Sequence, residues 1–314
     1  MPLTLDDVRR ARQLIAGAAI RTPLVPLNVW DASAEIFLKL ENLQPIGSFK
    51  IRGAATAMNL MSKAELAGGV LTASAGNMAQ GVAWNARRLG IPCTVIAPDT
   101  APMTKVRAVE RLGGRVLSVP FDRWWQTFSD RGYPGIDGAF VHPFDDERVM
   151  AGNGTIGLEL LEELPGVDTV LIPWGGGGLA VGIATALRAL KPSVRIYAVE
   201  VETGAPLAAS WKAGSPQVVE YRPSFVDGIG SKTVFSNMLA MAQELLDGTF
   251  TASVDEIAAA LKLMAERNRV IAEGAGAVAL AVALSGKAGG GRIACIVSGG
   301  NIDAAKLASI LSHD

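Results

Sequence analysis

Short runs of β-branched residues alternate with longer stretches of helical spacing along most of this 314-residue chain. Because each run suits one buried strand, the alternation predicts parallel strands joined by crossover helices. Such sheets are covered by helices on both faces, and a chain of this length suggests two compact units. We therefore predict the α/β fold class, with open parallel sheets. The predicted strands are Ile36–Leu40, Val70–Ala73, Cys93–Ala97, Arg115–Val119, Thr169–Ile172, Arg195–Val199 and Ile293–Val297.

Three capping-box sequences predict where helices start. They begin at Thr4, Ser62 and Ser253, and the helix that follows Ser253 is predicted to run through Arg269. The alternation breaks down from Phe121 to Asp146, where tryptophans, glycines and prolines mix with an acidic stretch. We interpret that region as a loop-rich connector between the two α/β units.

The charge balance excludes several classes of partner. Lys and Arg total 29 against 30 Asp and Glu, without a basic run, which argues against nucleic acid or a membrane surface as the partner. The longest apolar stretch, from Gly274 to Gly286, is shorter than the roughly 20 residues that span a bilayer. The first residues lack the order of a signal peptide. Cys93 and Cys295 have no metal-ligand spacing, so we expect two buried thiols in a cytoplasmic protein.

The glycine-rich junctions between strands and helices are the candidate sites, because open parallel sheets bind ligands beyond the carboxyl ends of their strands. Gly175, Gly176, Gly177 and Gly178 follow one predicted strand and open a helix. Such a run leaves bare N–H groups and a helix dipole free to hold a phosphate. The run also fits a dinucleotide fingerprint, with Glu200 ending the next strand. Taken alone, it leaves a dinucleotide and another phosphorylated cofactor open.

A lysine stands at a second junction. Pro45 and Gly47 form a turn, Ser48 is predicted to cap the next helix, and Lys50 falls in its first turn. The helix dipole would lower the pKa of an amine placed there, as a nucleophile that forms a Schiff base requires. A solvated lysine is the plain alternative. A lysine that accompanies a phosphate cradle, however, is typical of an enzyme that uses pyridoxal 5'-phosphate (PLP).

Two more junctions carry polar residues. Hydroxyl, amide and N–H groups at the start of one helix suit a substrate carboxylate. Ser298 begins the turn after the last predicted strand, where its hydroxyl could bond a pyridine nitrogen. Ordinary N-capping is the alternative at both places. The first of these junctions consists of Ser74, Ala75, Gly76, Asn77 and Met78.

Taken together, these four junctions resemble those of the fold-type II PLP enzymes, specifically the threonine/serine dehydratase (ammonia-lyase) and serine racemase family. The similarity extends from about Arg21 to Asn301 and includes ENLQPIGSFKIRGA, SAGNMAQGVAWNARRLG, VHPFDDERVMAGNGTIGLEL, AVEVETGAP, VDGIG, EGAGA and SGGN. It implies two open parallel-sheet domains with the cofactor in the cleft between them. A large PLP-binding domain would comprise residues 1–66 and 146–314, and residues 67–145 would form a small mobile domain that closes on the substrate. The dinucleotide interpretation leaves GSFK, SAGN and SGGN unexplained.

The resemblance also implies roles for the candidate residues. Lys50, next to Phe49 in the cofactor site, would be the Schiff-base lysine and the base that moves the Cα proton. The four glycines would hold the phosphate, Asn77 the 3′-oxygen of the ring, and Ser298 would face the pyridine nitrogen. The segment 74–78 would receive the substrate. The implied reaction is β-elimination from a 3-hydroxy amino acid, which yields a 2-oxo acid and ammonia.

Departures from the family pattern bear on the substrate. Ala75 stands where a racemase of this family has a serine that works as acid and base, so racemisation is not expected as the main activity. Met78 and Ile46 replace the usual histidine and threonine and make the pocket more apolar. With Trp124 and Trp125 nearby in sequence, they suggest a bulkier substrate such as phenylserine. A flexible core filler is the equal alternative for Met78.

The remaining expectations concern metals, histidines and assembly. Glu200 matches a metal-binding glutamate of the family, but Pro206 replaces the aspartate, so no metal is expected. His142 and His313 are the only histidines, which gives histidine catalysis little support. No regulatory domain is visible, and a homodimer or higher homo-oligomer is expected from the family. An amino-acid racemase, another β-eliminating lyase of the same fold and a non-catalytic PLP-binding protein stay open as alternatives.

Overall fold

A computed structural model describes residues 3–30 and 32–312. Within these residues, ten strands and twelve α-helices are formed, together with a 3-10 turn at Glu41–Leu43 and a π-helical turn at Met264–Asn268. The strands are Leu24–Pro26 (β1), Glu35–Leu40 (β2), Val70–Ala73 (β3), Cys93–Pro98 (β4), Arg115–Val119 (β5), Ala139–Phe140 (β6), Thr169–Pro173 (β7), Arg195–Val201 (β8), Gly248–Ala252 (β9) and Arg292–Val297 (β10). The helices are Leu5–Leu14 (α1), Lys50–Leu60 (α2), Asn77–Leu89 (α3), Met103–Arg111 (α4), Phe121–Asp130 (α5), Glu147–Glu163 (α6), Gly178–Leu190 (α7), Pro206–Ala213 (α8), Ser236–Leu245 (α9), Val254–Leu263 (α10), Gly274–Leu284 (α11) and Ala304–Ser312 (α12).

The larger sheet has six strands in the order β1-β2-β10-β7-β8-β9. Strands β2, β10, β7, β8 and β9 pair with their neighbours in parallel. Strand β1, at the edge, pairs antiparallel with β2. Helices α10 and α11 cover one face, and α6, α7 and α9 cover the other. Helix α11 is the longest apolar stretch of the sequence and is buried along almost its whole length. It is therefore a core helix.

The smaller sheet has four parallel strands in the order β5-β4-β3-β6. Helices α2, α3 and α4 pack on one face, where their side chains form one hydrophobic cluster with those of β3 and β4. Helix α5 covers the other face. Both sheets thus have helices on both faces, and the predicted α/β class with open parallel sheets is confirmed.

All seven predicted strands are present, but the interpretation of residues 121–146 as a loop-rich connector was wrong. Helix α5 and strand β6 occupy much of that region. The aromatic residues Phe121, Trp124, Trp125 and Phe128 recur three and four positions apart, which places them on one helical face. The rings of Trp124 and Phe128 lie edge to face with their centroids 5.0 Å apart. Trp124 of this stripe packs against the small sheet and holds the helix there.

The capping-box predictions had mixed outcomes. The boxes at Thr4 and Ser253 form as predicted and open α1 and α10. The box at Ser62 also makes its hydrogen bonds, to Glu65, yet only turns follow it, because two glycines interrupt the segment before a second helical turn. The helix after Ser253 ends in the π-helical turn, and Arg269 then adopts a left-handed conformation with φ of 60°.

Two further expectations can be compared with the structure. Cys93 and Cys295 are both free and buried, as predicted. Across residues 3–30 and 32–312, every helix is too short or too polar to cross a lipid bilayer.

Candidate active site

The loop that precedes Lys50 is fastened to the turn that follows β10. Ser48 and Gly299 form an isolated antiparallel bridge, and the Phe49 N–H donates a hydrogen bond to the Ser298 carbonyl oxygen at 3.1 Å. Two of the candidate junctions, far apart in the sequence, are therefore neighbours, and Ser298 lies beside the start of α2.

Helix α2 begins at Lys50, as the sequence predicted, but the predicted cap was wrong. Phe49 occupies the N-cap position and makes no side-chain cap. The Ser48 hydroxyl is buried and has no hydrogen-bond partner among the described residues. Because the backbone of Ser48 pairs with Gly299, its side chain is held away from the end of the helix.

The Lys50 amine lies in a confined, weakly polar place. Its Nζ donates a hydrogen bond to the Pro143 carbonyl oxygen at 2.6 Å and lies 5.2 Å from the centre of the Phe49 ring. Burial lowers the pKa of this amine to about 8, and the carboxylate of Glu273 opposes that change. The lowered pKa agrees with the prediction, although its main cause is burial rather than the helix dipole. Such an amine is readily deprotonated near neutral pH, as a nucleophile or base must be.

The glycine run connects β7 to α7 and needs its glycines for steric reasons. Gly177, the N-cap of α7, has φ of 94°, and a Cβ there would lie 2.5 Å from the Trp174 ring. A Cβ on Gly178 would lie 2.7 Å from the Phe144 carbonyl oxygen, and one on Gly176 would overlap the Phe144 ring. The last three positions of the run therefore require glycine, whereas a Cβ on Gly175 would make only ordinary contacts of 3.5 Å or more.

The same run offers free hydrogen-bond donors. Outside regular helices and strands, no hydrogen bond among the described residues is donated by the N–H groups of Gly175, Gly176 or Gly177. The first N–H groups of α7, starting at Gly178, also lack acceptors within the helix. Free donors at the positive end of a helix suit an anion such as a phosphate. The run therefore fits the phosphate of a cofactor.

The junction between β3 and α3 faces open space. Ser74 to Asn77 are partly exposed, the Ser74 hydroxyl accepts a hydrogen bond from the Gly76 N–H at 3.2 Å, and no atom lies within 4 Å of a Cβ built on Gly76. Met78 differs from its neighbours. Its side chain is 2% exposed and belongs to the core cluster on the small sheet, which favours the core-filler interpretation of this residue.

Asn77 is held by two residues that the sequence analysis did not single out. Its Oδ1 accepts a hydrogen bond from Asn301 Nδ2 at 2.7 Å, and its Nδ2 donates one to Glu273 Oε1 at 2.7 Å. Burial raises the pKa of Glu273 to about 7. Both residues stand in segments that carry the family resemblance, EGAGA and SGGN, and that position was the only available signal. Through these bonds the junction between β3 and α3 lies next to the junctions that contain Lys50 and Ser298.

Ser298 is buried, and its hydroxyl contacts the Ala275 carbonyl oxygen at 3.3 Å. Glu200 has a structural role. Its two carboxylate oxygens accept hydrogen bonds from the N–H groups of Leu207 and Ala208 at 2.9 and 2.7 Å, which caps α8. In the part of the chain that the structure describes, no three His, Cys, Asp or Glu residues are grouped as metal ligands.

The histidine of the VHPFDD segment shapes the loop that contacts Lys50. His142 Nδ1 accepts hydrogen bonds from the N–H groups of Phe144 and Asp145 at 3.3 and 2.8 Å. Burial lowers the pKa of the imidazole to about 4, so the ring is neutral at pH 7 and its acceptor nitrogen orients the backbone. The other histidine, His313, lies outside the described residues.

The tryptophans of α5 lie on the small sheet rather than along the glycine run. Trp124 packs against the cluster formed by Leu71, Ile96 and Val119. Trp125 is 41% exposed and stacks with Phe121 at a centroid distance of 6.5 Å. Phe144, which the sequence analysis also missed, contacts the glycine run at Gly176 and Gly178, and the Trp174 ring contacts it at Gly177.

Comparisons with known proteins bear on the family of this chain. Residues 15–299 match the family described as pyridoxal-phosphate dependent enzyme. The chain is 39% identical over 306 residues to an L-threonine ammonia-lyase of Thermotoga maritima, with 96% of this chain and 76% of that protein covered. The structure is similar to maize serine racemase, with a TM-score of 0.90, 32% identity and coverage of 98% and 97% of the two chains. It is also similar to a solved threonine deaminase from T.th., with a TM-score of 0.88, 33% identity and coverage of 96% and 99%.

The chain therefore belongs to the family of pyridoxal-phosphate dependent enzymes, with the fold of type II. Its cofactor is PLP, and it is an enzyme of the ammonia-lyase type. The residues present fit this cofactor, because free N–H groups at the start of α7 suit its phosphate and the Lys50 amine has a lowered pKa.

Proposed function

We propose that this enzyme dehydrates 3-hydroxy amino acids of the threonine/serine type and releases a 2-oxo acid and ammonia. The principal support is the Lys50 amine, which combines burial, a pKa of about 8 and a fixed position next to the other junctions. The names of the similar proteins, threonine ammonia-lyase and threonine deaminase, support the same reaction.

We assign the cofactor-binding roles as follows. Lys50 binds the cofactor covalently through Nζ, and the Phe49 ring lies close to that amine. Gly175 to Gly178 bind the phosphate with their N–H groups. Asn77 donates a hydrogen bond to the ring 3′-oxygen, and Ser298 faces the pyridine nitrogen, with which its neutral hydroxyl shares a hydrogen bond.

Substrate binding involves the partly exposed junction after β3. In this proposal the Ser74 hydroxyl and the N–H groups of Ala75, Gly76 and Asn77, all partly exposed, bind the substrate carboxylate at the start of α3. We also propose that residues 67–145, which contain the small sheet and helices α3 to α5, move as one unit against residues 1–66 and 146–314. Closure of that unit would exclude water from the reacting groups.

When bound, PLP supplies an electron sink that stabilises negative charge at the substrate Cα. Lys50 Nζ removes the Cα proton, for which it must be neutral, and its lowered pKa increases the neutral fraction at physiological pH. The Pro143 carbonyl oxygen orients this amine. Loss of the β-hydroxyl as water then leaves an enamine product, which hydrolyses to the 2-oxo acid and ammonia.

Racemisation is the main alternative within the family, since two of the similar solved structures are serine racemases. A racemase needs a second acid–base group on the opposite face of the ring. Ala75 cannot transfer a proton, and it stands where the family's racemases have a serine. We therefore place dehydration ahead of racemisation.

The size of the substrate is a separate question. A phenylserine-like substrate was suggested by Met78, Ile46 and the tryptophans of α5. The Met78 side chain lies in the core of the small sheet, and Trp124 packs on that sheet's other face. Neither position supports an aromatic pocket, so we propose threonine or serine ahead of phenylserine.

The test is to add threonine, serine, phenylserine and 3-hydroxyaspartate separately to the PLP-loaded protein and to measure 2-oxo acid and ammonia. Release of both products from threonine or serine supports the proposal, and a higher kcat/KM for phenylserine would revive the aromatic-pocket hypothesis. Loss of optical activity without ammonia would identify a racemase. If the protein binds PLP but converts none of the four amino acids, the hypothesis of a non-catalytic PLP-binding protein would be favoured.

Two further parts of the proposal concern location and assembly. Two buried free thiols fit the reducing conditions of the cytoplasm, and a homodimer or higher homo-oligomer is proposed from the family alone. Light scattering of the purified holoenzyme would give the mass of the assembly. A monomer at working concentration would contradict the oligomer.

A further inference from the structure

Glu273 is the one carboxyl group that points to Asn77 in the described chain. It occupies the N-cap position of α11 but makes no side-chain cap there. Its carboxyl extends instead to Asn77 on α3, where Oε1 accepts the hydrogen bond from Nδ2 at 2.7 Å. Its N–H donates to the Gly299 carbonyl oxygen at 3.0 Å. A helix-capping residue would use its side chain on its own helix, so capping does not explain Glu273.

The surroundings leave room for this carboxyl. A Cβ on Gly299 would overlap Glu273 Oε1, and one on Gly228 would lie 3.6 Å from it. Glu273 is only 6% exposed. A buried carboxyl is costly to ionise unless charge nearby compensates it.

Charged groups from three other elements face Glu273. Lys50 on α2 and Lys105 on α4 stabilise its ionised form, and Asp227 in the loop before Gly228 opposes it. Burial is the largest influence and raises the pKa of Glu273 to about 7. The pKa of Lys50 is lowered to about 8. The two groups therefore titrate in the same range, and a change in the charge of one alters the protonation of the other.

The hydrogen bonds of Asn77 show how Glu273 can act on the cofactor. Asn301 occupies Oδ1 of Asn77 and Glu273 occupies one Nδ2 hydrogen, so the amide cannot rotate without losing both bonds. The second Nδ2 hydrogen is then the only one left for the ring 3′-oxygen.

We propose that Glu273 is a positioning residue of the cofactor site, which fixes the Asn77 amide and exchanges a proton with solvent as the charge on Lys50 and the cofactor changes. This inference rests on the proposed placement of PLP between Lys50 and Asn77. Glu273 would be neutral while the anionic cofactor is bound, and it would be ionised while Lys50 is protonated.

The test uses the holoenzyme without substrate and follows the visible absorption of bound PLP as pH is varied around 7. Glu273→Gln keeps an oxygen acceptor for Asn77 and cannot ionise. Glu200→Gln is the matched control, because the pKa of Glu200 is also raised by burial to about 7 and its carboxylate bonds to the start of α8 instead of to Asn77. Glu273→Ala removes both the acceptor and the charge.

We expect a spectral transition near pH 7 in the wild type and in Glu200→Gln, and none in Glu273→Gln. The dissociation constant of PLP should change less than about threefold in Glu273→Gln and should rise about tenfold in Glu273→Ala, because a buried donor then lacks its acceptor. If the Gln variant fails to fold, Asn77→Ala provides the test, since it removes the link and must also abolish the transition.

Three results would overturn the inference alone: no transition in the wild type, a transition retained in Glu273→Gln or Asn77→Ala, and unchanged PLP affinity in Glu273→Ala. The absence of any absorption band that depends on Lys50 would overturn the proposed cofactor placement together with it. The two failures are thus distinguishable, because the band itself reports the cofactor and its pH dependence reports Glu273.

Discussion

Lys105 Nζ lies 2.7 Å from Asp227 Oδ2, and this ion pair joins helix α4 on the small sheet to the loop before Gly228. A Cβ added to Gly175 would lie 3.5 Å from the Gly228 carbonyl oxygen, so the two glycines are close neighbours. The pair therefore connects the small-sheet unit to the large-sheet unit beside the glycine run. Since the Lys105 and Asp227 side chains are 26% and 50% exposed, the pair contributes little to overall stability, and we expect its effect to fall on the closure motion proposed above for residues 67–145.

Substitution of Lys105 by alanine should raise the KM for the amino acid severalfold and change the free energy of unfolding by less than about 1 kcal/mol. The reason is that the open form becomes more populated without loss of core packing. Steady-state kinetics at low and high salt provide the check, because added salt screens the pair in the wild type and should bring its KM towards that of the variant. Lys105→Arg is the control and should restore the low KM. An unchanged KM in Lys105→Ala would show that the pair does not influence closure.

Lys50→Ala should abolish the visible band of bound PLP and lower kcat by at least about a thousandfold. Thermal stability should stay the same or increase slightly, since a buried amine whose pKa is lowered to about 8 costs free energy to hold. Lys212→Ala, at an exposed position of α8, is the matched control and should retain both the band and the activity. Significant turnover by Lys50→Ala would remove this lysine from its assigned role.

Gly177→Ala should lower the free energy of unfolding by more than about 2 kcal/mol and weaken PLP binding. The added methyl group meets the Trp174 ring and the residue has φ of 94°. Gly90→Ala isolates the backbone contribution, because Gly90 has φ of 68° and nothing lies within 4 Å of its Cβ position. Urea unfolding should show a cost of only about 1 kcal/mol for that control. Equal costs for the two variants would mean that the contact with Trp174 is not important.

Acidification should destabilise the protein through His142. Burial lowers the pKa of this imidazole to about 4 in the folded protein, whereas in the unfolded chain the usual value is about 6.5. Between these two values the unfolded state binds the proton and the folded state does not, so stability falls as the pH drops from about 6.5 to about 4, by at most about 3 kcal/mol. Below about pH 4 this contribution no longer changes.

The difference between the wild type and His142→Asn isolates this effect from the titration of other groups. The free energies of unfolding of the two proteins, measured in urea between about pH 6.5 and pH 4, should approach each other as the pH falls. The wild type loses stability over this range because only it has an imidazole to protonate. Parallel pH profiles for the two proteins would show that the pKa of His142 is the same in the folded and unfolded states.

Much of the fold could be predicted because it depends on local patterns. Six of the seven predicted strands are largely buried in the two sheets, whereas β5, at the edge of the small sheet, buries only Val119. Strand β1 was missed since it is a three-residue edge strand that ends in Pro26, and β9 was missed since its run begins with Gly248 and is only partly buried. Helix α5 had a usable signal in the spacing of its aromatic residues, which the neighbouring glycines and prolines obscured.

The site was predictable only in part for a different reason. Lys50, Asn77 and the glycine run stand at junctions whose local sequence is unusual. Glu273 instead contacts Asn77 across 196 positions of sequence, and no local pattern records such a contact. Phe144 was likewise missed, because its importance comes from lying against Gly176 and Gly178. The cause of the lowered Lys50 pKa was also beyond the sequence, since burial depends on the tertiary fold.

The bridge between Ser48 and Gly299 has a consequence for how the enzyme is made. The segment that presents Lys50 leaves the ribosome long before the turn that fastens it. Contacts between such distant positions form late and slowly during folding. A nascent chain should therefore be unable to capture PLP until β10 has emerged, and premature chain termination would release a protein with its reactive lysine but no means to hold it in place.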